Sequence, residues 1–527
     1  MVSIERHPPA GRVRGTTSYL AEVATFLGIP YALPPTGNRR WKAAEPMPKW
    51  GAVRFADRMG PAAMQAPLPQ GTILSHPDWP TSEDCLYLNI WTKAEPGDMR
   101  PVMVWIHGGG FISGSTAYPE YDGTALAAKD VVLVSLAYRL GAFGFFSHPE
   151  LARESAEGVS GNYGLSDLLQ GLRWIQENIA AFGGDPDCVT IFGESAGAWA
   201  VSQLQASPLS DGLFHRAIGQ SGSSMTRMRS AFAMVDDALP VEQVHASWAA
   251  NARVPRLRDL RDLSASELLQ RWDADMMLAE AVVDGWILPA QVRDIFEAGN
   301  HQKVPVLAGF NSDEPELLGS FGLYPIPEEA ADYIALVRAR MGDHSDEFLT
   351  LFPADDVRQS AMQAYRDGLQ GGLSSMESWA RLNFSAGAES HVYIFSHKPS
   401  DDHMGLGAYH MAEIPYVFGH VARKSSFVYP VLATGPVTDA DIELSERMSD
   451  CWVRFASEGT LRAVNGFGWP AYCPIRRPFM EIGKAFEVND NPFPGRYELF
   501  EKVRASFIAQ RKFRNQVYNP RDGGFKL

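Results

Sequence analysis

Apolar and polar positions along this chain follow two patterns in turn, one typical of buried strands and one of helices. Residues 100–106 and 131–136 are almost continuous apolar runs, as in strands that are covered on both faces. Residues 164–182 then place leucine and isoleucine at helical spacing, and another apolar run follows at 189–192. Strand, helix and strand in this order predict an α/β fold. We expect a central, mostly parallel sheet with right-handed crossovers and helices on both faces.

The segments on either side of this region predict more strands and long helical stretches. Alternation indicates N-terminal antiparallel strands within 11–32, and the other predicted strands are 83–91, 304–311 and 392–395. Helices are predicted through large parts of 225–300 and 316–388, and also at 445–455 and 496–512. A length of 527 residues allows several domains, but large α/β enzymes often keep one sheet with long insertions. We therefore expect a single domain over 1–527, with helical insertions at about 225–300 and 316–388.

Composition narrows the class of protein. Apolar residues make up 45% of the chain and charged residues 21%, which is typical of a globular protein with a large core. A net charge of −15 argues against nucleic acid or an anionic membrane surface as a partner, because both would repel the chain. The chain has no run of about 18 apolar residues, so we expect no membrane span.

The four cysteines, at 85, 188, 451 and 473, are widely spaced and contain no C-x-x-C pair. This spacing predicts reduced, mostly buried thiols in a reducing compartment and no zinc site. The segment from Met1 to Pro9 lacks the apolar core of a signal peptide, so we expect the mature protein to begin here. We therefore predict a cytoplasmic protein.

A candidate nucleophile follows the apolar run at 189–192. Gly193-Glu194-Ser195-Ala196-Gly197 turns the chain sharply into a segment of good helix formers. Small residues are needed on both sides because the serine backbone is strained at such a corner and the helix passes close to the strand. The turn lifts the hydroxyl of Ser195 away from the backbone, beside the N-terminus of a helix.

A glycine-rich loop follows the strand at 100–106. In His107-Gly108-Gly109-Gly110-Phe111, the glycines allow backbone N–H groups to point at a ligand with no Cβ in the way. Such a loop can stabilise an oxyanion, and the alternative is a plain glycine-rich turn. In parallel sheets, active sites gather at the carboxyl ends of the strands, where this loop and Ser195 both fall.

A serine nucleophile needs a base and an acid that orients the base. In a doubly wound hydrolase these follow in the chain order serine, acid, histidine. Asp313 and Glu314 come after the strand at 304–311 and supply the acid position. The base position has three candidates after the last predicted strand, and sequence position does not choose among them: His397, His403 and His410.

Five motifs together give the chain a family resemblance. They are 26–35, Glu-Asp-Cys-Leu-Tyr-Leu-Asn at 83–89, His-Gly-Gly-Gly-Phe at 107–111, Phe-Gly-Gly-Asp-Pro at 182–186 and Gly-Glu-Ser-Ala-Gly at 193–197. In this order they resemble the type-B carboxylesterase/lipase family, the cholinesterase-like branch of the α/β hydrolases. The resemblance runs from about residue 11 into the C-terminal region.

The resemblance implies specific roles for residues of this chain. It makes Ser195 the nucleophile, Glu314 the acid and His410 the base of a catalytic triad. The oxyanion hole would consist of the N–H groups of Gly109, Gly110 and Ala196. Residues around the histidine would be Glu194, Ser221 and Glu413, although Ser221 is equally explained as a turn residue. An acyl pocket would be lined by Phe111, Trp286 and Phe321, for which ordinary core packing is the alternative. Two structural ion pairs are implied, Arg139–Asp167 and Arg40–Glu83.

The chain departs from the family pattern at three positions. Ala63 stands where secreted members carry a cysteine, so Cys85 lacks its usual disulfide partner. This departure indicates an intracellular, bacterial-type member. Pro315 follows Glu314, and Met411 follows His410, where the family usually has glycine.

These observations predict an enzyme that hydrolyses a small-molecule carboxylic ester through an acyl-enzyme, with no metal or organic cofactor. One alternative is an amide or carbamate hydrolase that uses the same triad, because pocket shape selects the leaving group. An alternative of another class is a non-catalytic binding module with a cholinesterase-like fold. The preferred acyl and alcohol groups and the oligomeric state are left open by the sequence.

Overall fold

The computed structural model describes residues 4–20, 22–67, 79–235, 238–272, 280–320, 326–398, 402, 405–421, 437–462 and 468–511. The strands are β1 Ile4–Arg6, β2 Val13–Thr17, β3 Ala24–Pro30, β4 Arg54–Phe55, β5 Ala62–Ala63, β6 Thr81–Ser82, β7 Tyr87–Thr92, β8 Arg100–Ile106, β9 Val132–Leu136, β10 Gly184–Glu194, β11 Arg216–Gln220, β12 Val306–Asn311, β13 Ser390–Phe395, β14 Pro478–Ile482 and β15 Phe486–Asp490.

The α-helices are α1 Thr124–Ala127, α2 Gly141–Phe145, α3 Pro149–Glu154, α4 Tyr163–Asn178, α5 Ala196–Ala206, α6 Val241–Asn251, α7 Leu257–Asp262, α8 Ala265–Trp272, α9 Val292–Glu297, α10 Glu314–Ser320, α11 Ala330–Met341, α12 Ser345–Leu351, α13 Val357–Gly368, α14 Leu373–Ser385, α15 Ile414–Val417, α16 Asp439–Glu458 and α17 Arg496–Arg511. Among the helices described, none combines the length and the apolar run that crossing a bilayer requires.

The described strands build one large sheet of 13 strands, in the order β1-β2-β3-β7-β9-β8-β10-β11-β12-β13-β14-β15, with β4 beside β2. From β9 through β14 every neighbouring pair is parallel. The pairs from β1 through β7 to β9 are antiparallel, and so is the last pair, β14 with β15. The expected α/β fold, with a mostly parallel sheet and N-terminal antiparallel strands, is confirmed.

Helices cover both faces of the sheet, and the alternation along β8 shows this directly. Val102, Val104 and Ile106 point into one buried cluster, together with apolar residues of α4, α5 and α14. Met103 and Trp105 point into a second cluster on the other face, which contains residues of α1, α15 and α16. Burial on both faces explains why β8 reads as an almost continuous apolar run.

Both segments predicted as helical insertions contain helices where the structure describes them, and 316–388 is the more helical of the two. Within 225–300, helices α6 to α8 pack through Trp248, Leu260 and Trp272 in a third buried cluster, against the loop and helix around 142–151. Within 316–388, helices α11 to α13 form a fourth cluster that includes Leu499 and Phe500 of α17. The C-terminal helix therefore packs on the second of these segments.

Several strands were missing from the sequence prediction. The strand β11 was not predicted, because its five residues contain only one large or branched apolar residue, Ile218, and a glycine. β14 begins with a proline, and the outermost strand, β15, is mostly polar and partly exposed, so neither shows the pattern of a buried strand.

All four cysteines are free thiols, but only Cys85 is buried, so the prediction of mostly buried thiols was wrong for the other three.

Two ion pairs, one buried and one partly buried, join the sheet to its surroundings, as the family resemblance implied. Arg139, which follows β9, binds Asp167 of α4 through two hydrogen bonds of 2.6 and 2.8 Å, and both side chains are buried. Arg40 binds Glu83 in the same bidentate manner, at 2.6 and 2.7 Å. Arg139 also donates to the carbonyl of Lys42 at 2.8 Å. These arginines tie the N-terminal loops to the central sheet.

We expect Asp167→Ala to lower the free energy of unfolding by about 3–5 kcal/mol, because it leaves the buried Arg139 guanidinium without its counter-charge. Urea unfolding followed by circular dichroism measures this change. The matched control is Asp450→Ala, whose carboxylate contacts Lys129 but is 65% exposed. This control should change the free energy by about 1 kcal/mol or less. Equal effects of the two substitutions would contradict the structural role of the buried pair.

Candidate active site

The predicted turn at Ser195 is confirmed. β10 ends at Glu194, α5 begins at Ala196, and Ser195 between them has φ 56° and ψ −122°. A positive φ is strained for a residue with a side chain. The turn is closely packed against β8, because a Cβ on Gly197 would lie 2.0 Å from the carbonyl oxygen of Ile106. This packing helps to hold Ser195 in its strained conformation. The N–H of Ser195 donates to the carbonyl of Gln220 at 2.8 Å, which fixes the turn to β11.

Glu314 and His410 come together from the two strands β12 and β13. Glu314 begins α10, three residues after β12 ends, and His410 lies in the loop after β13. Nδ1 of His410 is 2.5 Å from Oε2 of Glu314. The other oxygen, Oε1, accepts the N–H of Asn311 at 2.8 Å, so the buried carboxylate is held in place. A carboxylate on Nδ1 leaves Nε2 of the imidazole as the nitrogen that can accept a proton.

Nε2 of His410 faces the turn that carries the serine. It lies 3.1 Å from Oε1 of Glu194, the residue directly before Ser195. In the part of the chain that the structure describes, no hydrogen bond joins Nε2 to the Ser195 hydroxyl. A proton transfer from Ser195 to Nε2 would need the imidazole to turn from Glu194 toward the hydroxyl. Such bonds are often long or poorly aligned before a substrate binds.

Three buried carboxylates surround the imidazole, and they set its protonation. Burial alone would lower the pKa of His410, but the negative charges of Glu194 and Glu314 outweigh burial and raise this pKa. Burial raises the pKa of Glu194, and the charge on His410 opposes that rise. Burial likewise raises the pKa of Glu413. The imidazole and the carboxylates therefore bind protons as one coupled group.

Two amide side chains beneath the site were not found by sequence reasoning. Gln220 and Asn311 donate to the two carboxylate oxygens of Glu413 at 3.0 and 2.6 Å. Trp452 donates to the amide oxygen of Gln220 at 3.0 Å, so this arrangement is anchored in α16. For Asn311, the signal that could have found it is a polar residue at the last position of an apolar strand. Gln220 has no such signal, because β11 is not an apolar run. Ser221 follows Gln220 with φ 52°, and its buried hydroxyl has no hydrogen-bond partner among the described residues.

The glycine loop lies directly against the serine turn. A Cβ on Gly108 would be 2.7 Å from Oε2 of Glu194 and 3.1 Å from Cβ of Ser195. Gly109 and Gly110 have φ of 99° and 63°, which favour glycine. A Cβ on Gly109 would also lie 2.2 Å from the carbonyl oxygen of Ser113. The loop therefore reaches this position beside Ser195 only because it has no side chains there.

Two further side chains, those of Tyr138 and Gln65, hold the ends of the glycine loop. Tyr138 donates its hydroxyl to the carbonyl of His107 at 2.8 Å, and the two rings are stacked with centroids 4.6 Å apart. Burial lowers the pKa of His107 to about 4, so its ring is neutral at pH 7. The amide of Gln65 both donates to the carbonyl of Gly114 and accepts its N–H, at 2.8 and 2.9 Å. These contacts fix both ends of the glycine loop.

Of the three residues predicted to line an acyl pocket, the structure describes Phe111 and Trp286. Phe111 is buried and packs against Phe145 and Trp199. Trp286 lines a separate surface cleft of about 240 Å³ with Trp41, Glu154 and other residues, and no member of the predicted triad lines that cleft. Phe321 lies outside the described residues.

The alternative acids and bases have other partners. Nε2 of His397 lies 2.6 Å from Oδ1 of Asp441. Asp313 accepts the N–H of Ala408 at 2.9 Å and lies 3.2 Å from Nζ of Lys398. His403 lies outside the described residues. Of the candidates that are described, Glu314 and His410 are the acid and base that meet.

Residues 2–500 match the family model described as "Carboxylesterase family". The chain is 36% identical over 489 residues to a fumonisin B1 esterase of Sphingopyxis macrogoltabida, covering 89% of this chain and 84% of that protein. It is 33% identical over 508 residues to a para-nitrobenzyl esterase of Bacillus subtilis, covering 92% and 95% of the two chains.

The solved structures that resemble this chain are also esterases. A para-nitrobenzyl esterase structure superimposes with a TM-score of 0.80 at 30% identity, over 94% of this chain and 99% of that one. A carboxylesterase of Geobacillus stearothermophilus gives a TM-score of 0.78 at 31% identity, with the same coverage.

The strand order, the covering helices and these structural neighbours define the class of protein as an α/β hydrolase. The match extends over nearly the whole chain at more than 30% identity. The chain belongs to the carboxylesterase family, and it is a carboxylic ester hydrolase. The family predicted from the five motifs is confirmed.

We expect Glu194→Gln to move the acidic limb of the pH profile of kcat/KM to lower pH, by about one unit. Glu194 favours the charged imidazole, so its neutralisation lowers the pKa of His410, and the neutral base then persists at lower pH. Initial rates on an activated ester between pH 4 and 9 measure the midpoint. The control is Glu389→Gln, which changes a carboxylate paired with His391 outside this site and should leave the midpoint in place. An unchanged midpoint for Glu194→Gln would contradict the coupling.

Proposed function

We propose that Ser195, His410 and Glu314 form the catalytic triad of this esterase and that turnover passes through an acyl-enzyme. The observation that carries the proposal is the 2.5 Å contact between Nδ1 of His410 and Glu314, with Nε2 directed at the residue next to Ser195. The carboxylate holds the imidazole in the tautomer whose Nε2 accepts a proton. It also stabilises the positive charge that the imidazole acquires.

In the acylation step, Oγ of Ser195 attacks the ester carbonyl and forms a C–O bond while Nε2 of His410 accepts the hydroxyl proton. The tetrahedral oxyanion then collapses, the bond to the alcohol oxygen breaks, and His410 returns the proton to that oxygen. In deacylation, water replaces serine as the nucleophile and His410 again accepts and returns a proton. The carboxylic acid leaves, and the enzyme is restored.

We propose that the N–H groups of Gly109, Gly110 and Ala196 bind the oxyanion. Ala196 is the first residue of α5, where N–H groups lack helical partners and the helix dipole favours negative charge. The contact of Gly108 with Glu194 and Ser195 supports the placement of the glycine loop on the same side. Loss of one such donor typically costs about 10²–10³ in kcat.

The substrate we propose is a small-molecule carboxylic ester. Relatives of this chain are named for esters of quite different size and shape, among them fumonisin B1, para-nitrobenzyl esters and cocaine. The triad and the glycine loop act on the carboxyl group that such substrates share. Pocket shape then selects the acyl and alcohol groups.

We also propose that the enzyme is cytoplasmic and that 1–527 form a single domain. The four free cysteines support a reducing compartment, and Ala63 in place of the family's cysteine leaves Cys85 as a thiol. Clusters of buried residues that run from the N-terminal strands to α17 support the single domain.

We expect Ser195→Ala to lower kcat on an activated ester by about 10⁶-fold, because the nucleophile is lost. Release of the chromogenic alcohol measures the rate. Ser247→Ala, which removes an exposed hydroxyl on α6, should match the wild type. Equal rates for Ser195→Ala and the wild type would contradict the proposed nucleophile.

We expect Glu314→Gln to lower kcat by about 10³–10⁴-fold with the fold intact, because an amide does not hold the same tautomer or stabilise the imidazolium. Steady-state kinetics, with circular dichroism to check folding, provide the measurement. Retention of more than a tenth of the wild-type kcat would refute Glu314 as the triad acid.

A further inference from the structure

The loop that carries His410 is held by two carboxylates that the catalytic assignment does not use. Residues 405–409 lead directly to the histidine, and hydrogen bonds tie each of these five residues to groups outside the segment. Leu406, Ala408 and Tyr409 are buried, so their backbone groups need hydrogen-bond partners, and side chains from outside the segment supply most of them. This arrangement indicates that the position of this segment matters to the histidine that comes directly after it.

Asp402 holds the first part of the segment. Its two carboxylate oxygens accept the N–H groups of Leu406 and Gly407, at 3.0 and 2.7 Å. Its backbone carbonyl accepts the N–H of Gly405 at 3.1 Å. One aspartate therefore satisfies three successive N–H groups, and bonds from backbone N–H to a charged carboxylate are among the stronger hydrogen bonds in proteins.

Asp313 holds the next residue and connects it to the strand that delivers Glu314. Its carboxylate accepts the N–H of Ala408 at 2.9 Å, and its own N–H donates to the carbonyl of Ala408 at 3.0 Å. Gly407 passes so close that a Cβ there would be 2.5 Å from Oδ2 of Asp313. Asn311, at the end of the same strand, then donates to the carbonyl of Tyr409 at 2.8 Å.

These contacts oppose local backbone strain. Met411, directly after the histidine, has φ 81°, a value that favours glycine and that costs a methionine about 1–3 kcal/mol. A strained residue persists only where its surroundings hold it. On the N-terminal side of His410, the hydrogen bonds to Asp402 and Asp313 hold the backbone in place.

We propose that Asp402 and Asp313 are positioning residues for His410, which fix the 405–409 segment so that the imidazole meets Glu314 and the serine turn. This inference rests on the proposed role of His410 as the base. Asp313, which is adjacent to Glu314 in sequence, thus acts on the histidine through the loop backbone, while Glu314 contacts the ring itself.

The test compares Asp402→Asn, Asp313→Asn and Asp313→Ala with the wild type on an activated ester. Active sites are counted by complete labelling with a fluorophosphonate, so that kcat refers to folded, reactive enzyme. We expect kcat per titrated site to fall about ten- to a hundredfold for Asp402→Asn and Asp313→Ala, because small displacements of a catalytic group have effects of this size. KM should stay within about twofold, since neither aspartate belongs to the proposed triad or oxyanion hole.

Asp313→Asn should retain more activity than Asp313→Ala, because its amide oxygen still accepts the N–H of Ala408. The matched control is Asp356→Asn, whose carboxylate accepts one backbone N–H at the start of α13, at 2.9 Å, far from the histidine in sequence. This control should keep the wild-type kcat per titrated site.

Unchanged kcat per titrated site in Asp402→Asn and Asp313→Ala would overturn the proposal, and lower melting temperatures alone would assign these aspartates to stability only. Ser195→Ala is measured in parallel. If the wild type shows no Ser195-dependent hydrolysis, the proposed triad and this inference both fail. If the wild type is active and the aspartate variants equal it, only this inference fails.

Discussion

The site depends on keeping one imidazole among three carboxylates that are removed from water. Glu194, Glu314 and Glu413 are each almost fully buried, and like charges at such distances repel strongly where the dielectric constant is low. The arrangement is stable because every carboxylate has its own partners: His410 for two of them, and the amides of Gln220 and Asn311 for the third. The carboxylate charges raise the pKa of the imidazole, and burial raises the pKa of Glu194 and of Glu413, so protonation of the site is a collective property.

The parallel sheet explains how these groups come together. Five neighbouring strands, β8, β10, β11, β12 and β13, end at the same edge, and each supplies one part: the glycine loop, the serine turn, Gln220, Glu314 and the histidine loop. A ligand at this edge lies beside the carboxyl ends of all five strands. The rigid strands set the coarse positions, while short loops with left-handed residues, at Ser195, Ser221 and Met411, set the fine positions. Strain at these residues is compensated by the hydrogen bonds around them.

Much of this arrangement could be predicted from the sequence, and the remainder could not for physical reasons. Buried strands such as β8 carry continuous apolar runs, and the serine turn needs small residues at fixed positions, so both are visible in the residue order. The choice between Asp313 and Glu314 is not, because adjacent side chains on a turn point in different directions that depend on the backbone; the family resemblance supplied it. The hydrogen bonds from the histidine loop to Asp402 could not be predicted either, since bonds to backbone N–H groups leave no periodic pattern in the sequence.

The outer strands of the sheet have a consequence for how the protein behaves at high concentration. Among the strands that the structure describes, β1 and β15 end the strand order, so each pairs with a neighbour on one side only. β15 contains the exposed Glu487 and Asp490, and β1 contains the partly exposed Glu5. Ionised side chains on border strands disfavour the addition of a strand from another molecule, because the charges would lose water. An open sheet of this size is thereby protected against edge-to-edge aggregation.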